Sequence, residues 1–168
     1  MSGEGHKSWI SGLSFHPKGS HLVTSSGDST VKVWDFINAS CMHTFTEHKQ
    51  PVWSVAFHDG GDFIVSGSMD HTAKLIDLNA LKTRNTFRGH VDSVNNVNFQ
   101  PYSNVFCSSS ADKTLSLWDM KSGLCIQTFY GHLNSVNHGM FNLRGDTLAS
   151  CDADGVVKIW DVRMVKER

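Results

Sequence analysis

The 168-residue chain has no excess of either charge, no long apolar run and no closely paired cysteines. Each lack removes a class of protein. Lys and Arg number 15 against 16 Asp and Glu. A general binder of nucleic acid or of an anionic membrane carries a basic excess or stripe, so neither is expected as a partner. No apolar stretch approaches the roughly 20 residues needed to cross a bilayer. The opening "MSGEGHKSWISG" has no apolar core for a secretory signal, and Ser2 stands where myristoylation needs glycine. Cys41, Cys107, Cys125 and Cys151 form no CxxC pair and read as reduced packing residues, which places the chain in the cytosol or nucleus. At 39%, apolar residues are too many for a disordered chain.

What is present is a period. His6, His48, His90 and His132 are each 42 residues apart, and so are Asp28, Asp70, Asp112 and Asp154. A third column reads Trp34, Ile76, Trp118 and Trp160, each followed by an aspartate. Self-similarity at this spacing marks a repeat architecture. Four repeats, at about 6–47, 48–89, 90–131 and 132–168, fill one domain. Within the third, "SVNNVNF", "VFCSSS", "TLSLWD" and "CIQTFYG" read as short strands, separated by the turn-forming "QPYSN", "ADK" and "MKSG". Four antiparallel strands in about 40 residues make a meander, and meanders stacked radially make propeller blades. The expected fold is all-β, with four four-stranded blades.

The columns also explain one another. A Ser or Thr (Thr24, Ser66, Ser108, Ser150) lies four residues before each turn aspartate. A buried indole N–H without an acceptor costs about 1–3 kcal/mol. The hydroxyl can accept from the indole and donate to the histidine, which in turn reaches the aspartate. A linked set of this kind requires its members to travel together. Ile76 cannot donate, so the second repeat is expected to hold only His48, Ser66 and Asp70. Histidines and aspartates at one position of successive repeats lie too far apart to converge on one ion. A catalytic triad occurs once per site, whereas this set recurs. No enzyme activity, metal or cofactor is expected.

"GH-x-x-S-V", "SSSADKTLSLWD" and the 42-residue period resemble the WD-repeat β-propeller family. In that family the same tetrad braces each blade. Glu47, in place of Gly, and Ile76, in place of Trp, depart from its pattern. The resemblance implies a rim of the central channel where peptides dock, and by position it offers Trp9, Lys49, Pro51 and Met69 as a partner surface. "SSSADKTLSLWDMKSGLCIQTFYGHLNSVN" and "RGDTLASCDADGVVKIWDVR" are similar to the sperm-associated-antigen WD-repeat family of the axonemal central pair. That likeness implies a non-enzymatic scaffold of the ciliary or flagellar cytoskeleton, the alternative being a general cytosolic or nuclear adaptor. Propellers hold about 4–8 blades, and the family usually about seven. Four wedges are therefore expected to leave two open faces, with "VRMVKER" too short for an outer strand after Asp161. The faces would be covered by a second copy completing an eight-bladed ring, or by further blades of a longer chain.

Overall fold

Short β-branched and aromatic runs punctuated by Gly, Asp and Asn favour strands joined by tight turns. The computed structural model, which describes residues 5–163, contains fifteen strands. The first sheet is β1 (Ile10–Phe15), β2 (His21–Ser26), β3 (Val31–Asp35) and β4 (Ser40–Phe45). The second is β5 (Val52–Phe57), β6 (Phe63–Ser68), β7 (Thr72–Asp77) and β8 (Lys82–Arg88). The third is β9 (Val94–Phe99), β10 (Val105–Ser110), β11 (Leu115–Asp119) and β12 (Cys125–Phe129). The fourth holds β13 (Val136–Phe141), β14 (Thr147–Asp152) and β15 (Val157–Asp161). Every sheet is an antiparallel meander in chain order.

The all-β blade architecture expected from the period is therefore present. The fourth sheet has three strands among the described residues, where the repeat led to an expectation of four. The 42-residue register would start its outer strand at about residue 166, so the expectation about the "VRMVKER" tail lies outside the described residues.

Each blade is too thin to enclose a core, so the cores lie between blades. Val23, Val31, Val33 and Phe45 of the first sheet pack with Val52, Val55, Phe57, Ile64 and Ile76 of the second. Val65, Leu75 and Phe87 of the second meet Val97, Phe99, Phe106 and Trp118 of the third. Cys107, Leu115, Leu117 and Phe129 of the third meet Val136, Phe141, Leu148 and Trp160 of the fourth. Phe106 is fully buried and meets Phe87 edge-on at 4.7 Å between ring centroids. Burial also drives the Cys107 thiol up to about 12, so this sulfur is an inert packing group. Among the described residues no disulfide joins Cys41, Cys107, Cys125 or Cys151.

The first strands of the four sheets lie side by side and jointly line a polar hollow of about 400 Å³. In a propeller this wall faces the central channel. Side chains stitch its wall from blade to blade: Phe57 N donates to Ser14 Oγ at 3.2 Å, and Asn95 Nδ2 donates to Val136 O at 3.0 Å. Ser11 Oγ donates to Val52 O in the same manner.

Candidate functional site

The recurrent polar side chains form one bonded chain per blade. In the third, Trp118 Nε1 donates to Ser108 Oγ at 2.8 Å. Ser108 Oγ then meets His90 Nε2 at 2.7 Å, and His90 Nδ1 donates to Asp112 Oδ2 at 2.7 Å. The first blade repeats this through Trp34, Thr24, His6 and Asp28, at 2.8, 2.7 and 3.0 Å. Pairing register explains the reach. Thr24 and Ser108 stand on β2 and β10, the central neighbours of the tryptophan-bearing β3 and β11.

The other end of the chain holds the turn. Asp112 Oδ1 accepts from Thr114 N and Thr114 Oγ1 at 3.0 and 2.6 Å, closing the β10–β11 connection. Asp28 and Asp70 close theirs on Thr30 and Thr72. Burial pushes these three carboxyls upward. For Asp28 the bonds from Thr30, Lys7 N and His6 outweigh burial, and for Asp70 and Asp112 those from the histidine, the threonine and the main chain do. All three are held well below the ordinary 3.8.

The fourth blade departs from the expected set. His132 Nδ1 donates to Asp152 Oδ2 at 2.7 Å, not to Asp154. His132 Nε2 meets Ser150 Oγ at 2.7 Å, and Trp160 Nε1 donates to Ser150 Oγ at 2.8 Å. The reason lies in two coupled changes. Val156 stands where the other turns have Thr30, Thr72 and Thr114, and Asp152 stands where they have Ser26, Ser68 and Ser110. Without a threonine hydroxyl the usual turn aspartate loses a partner. Asp152 reaches the histidine instead, and its Oδ1 accepts from Asp154 N and Val156 N. Asp154 turns outward to accept from Asn134 Nδ2 at 2.8 Å.

The second blade keeps His48–Ser66 and His48–Asp70, each at 2.8 Å, without an indole. A Cβ on Gly89 would stand 3.0 Å from the Trp118 ring, tighter than ordinary contact, so in the third blade this glycine gives the indole clearance. In the second blade Glu47 stands at that place, exposed, and the smaller Ile76, nearly fully buried, takes the position of the indole.

The proposed partner surface divides in two. Trp9 stands at the channel mouth, half exposed, and lines a hollow of about 440 Å³ with Trp53, Asn95, Ser135 and Asn137. Trp9 and Trp53 lie 6.3 Å apart between ring centroids, tilted by 33°. A Cβ on Gly27 would meet the Trp9 ring at 2.5 Å, so this glycine lets the indole lie flat on the adjacent turn. Lys49, Pro51 and Met69 do not line that hollow. They cluster on the second blade's turn, where Met69 N donates to Pro51 O at 2.9 Å and Lys49 N donates to Asp70 Oδ2 at 3.2 Å.

Sequence reasoning did not single out Trp53. It lies at the bulge of β5 between the paired Val52 and Ser54, which turns its ring toward the hollow that the first strands line. A second recurrent contact was also passed over. His58 Nε2 donates to Ser103 O of the next blade at 3.1 Å, Gln100 Nε2 donates to Gly145 O, and His16 lies against Gly61. His16, His58 and Gln100 share the 42-residue spacing, which was the available sign.

The profile of the family described as WD domain, G-beta repeat matches residues 1–35, 39–77, 81–119 and 123–161. The chain belongs to this family. Among similar proteins are the nuclear distribution protein PAC1 of Scheffersomyces stipitis, 36% identical over 26% of this chain and 10% of its own length. The target of rapamycin complex subunit wat1 of Schizosaccharomyces pombe is 44% identical over 31% of this chain and 16% of its own. The COMPASS component SWD3 of Saccharomyces cerevisiae is 42% identical over 29% and 15%. The chain's matches thus span no more than about a sixth of these relatives.

Two outcomes are expected. Ile76→Trp alone destabilises the protein by about 1–3 kcal/mol through overpacking against Glu47, and adding Glu47→Gly recovers most of that loss. Chemical denaturation of both variants checks it; equal stability of the two would contradict the shared-space explanation. The second concerns acid. Because the Asp28, Asp70 and Asp112 carboxyls lie below their ordinary value when folded, their contribution is fully present above the unfolded value. It declines as pH falls below about 4 toward the folded values, where the unfolded chain binds more protons. Asp112→Asn should flatten that acid limb in pH-dependent urea melts, and an unchanged slope would count against it.

Proposed function

We propose that this WD-repeat chain is a non-enzymatic scaffold for protein partners in the central apparatus of the ciliary or flagellar axoneme. The observation that carries an interaction role is the pairing of a rigid, fully bonded frame with an unengaged channel mouth. The tetrad histidines already have both ring nitrogens bonded, and the Thr24, Ser108 and Ser150 hydroxyls each link an indole to a histidine. They are therefore poorly placed to serve as nucleophile or base. Trp9 and Trp53 instead present two aromatic surfaces beside the amide and hydroxyl groups of Asn95, Ser135 and Asn137. Aromatic side chains in a partly enclosed polar rim supply the anchors typical of protein-binding surfaces. The near-balanced charge supports protein partners over nucleic acid or membrane.

The axonemal placement rests on the wording of the third and fourth repeats, which goes beyond the general family pattern. The names of the relatives favour the second reading, a general cytoplasmic or nuclear adaptor. They are a nuclear distribution protein, a target of rapamycin complex subunit and a COMPASS component. A tagged copy in ciliated cells separates the two. Retention on the axoneme after detergent extraction is the expected result. A uniform, fully extractable signal, the same in cells that build no cilia, would favour the adaptor.

A further inference from the structure

Side chains of one register latch each blade to the next, and they differ in one chemical respect. Gln100 of the third blade donates from Nε2 to Gly145 O of the fourth. His58 of the second donates from Nε2 to Ser103 O of the third at 3.1 Å, and its Nδ1 accepts from Gly60 N at 3.0 Å. His16 of the first takes the same pose. Its Nε2 lies against the main chain of Gly61 in the second blade, to which it bonds, and its Nδ1 accepts from Lys18 N at 3.0 Å. An amide N–H can only donate and a carbonyl can only accept, so each imidazole is held neutral with its proton on Nε2. A second proton has to enter at Nδ1, against the N–H that this nitrogen receives. The amide of Gln100 has no such second state.

The surroundings of His16 also disfavour charge. Its ring meets Phe57 at 5.3 Å and His21 at 5.7 Å between centroids, edge-on in both cases. His16, His21 on β2, His43 on β4 and Asp62 of the second blade line one hollow of about 290 Å³ between the two blades. Lys18 stands in the same turn as His16, and Asp35 stands opposite His21 in the β2–β3 ladder. Asp62 is already engaged, accepting from Asn79 Nδ2 at 3.0 Å. Burial first, then the charges of His21 and Lys18, outweigh Asp62 and the Gly61 bond and hold His16 below the ordinary 6.5. At the next junction Phe63 takes the place of His21 beside His58.

We infer that His16 is a proton-sensitive latch, which ties the first blade to the second while neutral and loosens their junction as the medium turns mildly acid. Trp9 and Trp53 stand on the two sides of this junction, so the latch acts on their spacing. A histidine held below its unfolded value contributes stability that is fully present above 6.5. That contribution is lost as pH falls toward the folded value, because the unfolded chain binds the proton more readily. The window lies above the one in which Asp28, Asp70 and Asp112 respond. The inference concerns the junction itself and stands whether or not the indole pair binds a partner.

Amide hydrogen exchange of the whole chain between about pH 8 and pH 5 tests it, expressed as protection factors so that the intrinsic pH dependence cancels. Phe57 N donates to Ser14 Oγ across the first junction. Gly139 N donates to Asn96 Oδ1 at 3.3 Å across the third, which Gln100 latches. Protection at Phe57 should fall severalfold below about pH 6.5 while protection at Gly139 stays level. His16→Gln, which installs the side chain that the third blade uses, should keep Phe57 protected over the whole range. In the unaltered chain the ring-nitrogen chemical shifts of His16 should report the Nε2–H form, with a midpoint below 6.5. An equal decline at both amides, no decline at Phe57, the same decline in His16→Gln, or a His16 midpoint above 6.5 would each overturn the inference.

Discussion

An indole N–H buried between two sheets is the constraint around which three of the four blades are arranged. It needs an acceptor, and the neighbouring strand supplies a hydroxyl rather than a carbonyl. A hydroxyl can pass the bond on, so the demand of one buried group is met by ordering a second strand, a histidine and a turn. The carboxylate at the end both receives the histidine and folds the next connection, as Asp112 does with Thr114. Sequentially distant residues are thereby tied at a few points of fixed geometry. Such a network is stabilising when fully satisfied and costly when broken in part. The second blade shows the alternative: Ile76 removes the donor, and Ser66, His48 and Asp70 keep the rest of the bonded chain.

Packing between blades is the second level. Because each core is shared by two sheets, no blade has a stable interior alone, and coupling passes from neighbour to neighbour. Polar contacts reinforce the same junctions on both sides of the apolar layer. Serine and asparagine side chains join the channel strands, while His58 and Gln100 reach the loops of the following blade. The resulting frame holds the Trp9–Trp53 pair at the channel mouth without relying on either indole for its own integrity.

Much of this is legible in the sequence because a repeat prints its constraints four times. The columns at Trp34, Trp118 and Trp160, and at their histidines and hydroxyls, name the bonded partners before any geometry is known. Where one copy changes, column reading falters. Asp154 keeps its place in the aspartate column, yet loss of a threonine at Val156 and gain of a carboxylate at Asp152 move the contact two residues back. The change is visible only when neighbouring columns are compared. Trp53 escapes because it occurs once, so periodicity gives it no weight. The dependence of Trp118 on Gly89 also escapes, since strand patterns carry no information about clearance across a sheet.

The central claim is that the tryptophan, the hydroxyl and the histidine act as one linked set. A double-mutant cycle on Trp118→Phe and Ser108→Ala, read by urea denaturation, tests it most directly. Each single change should destabilise, and the pair should cost less than the sum by about 1 kcal/mol or more, as directly bonded residues do. Additive losses within about 0.3 kcal/mol would mean that the two residues stabilise the blade independently, and would contradict the account.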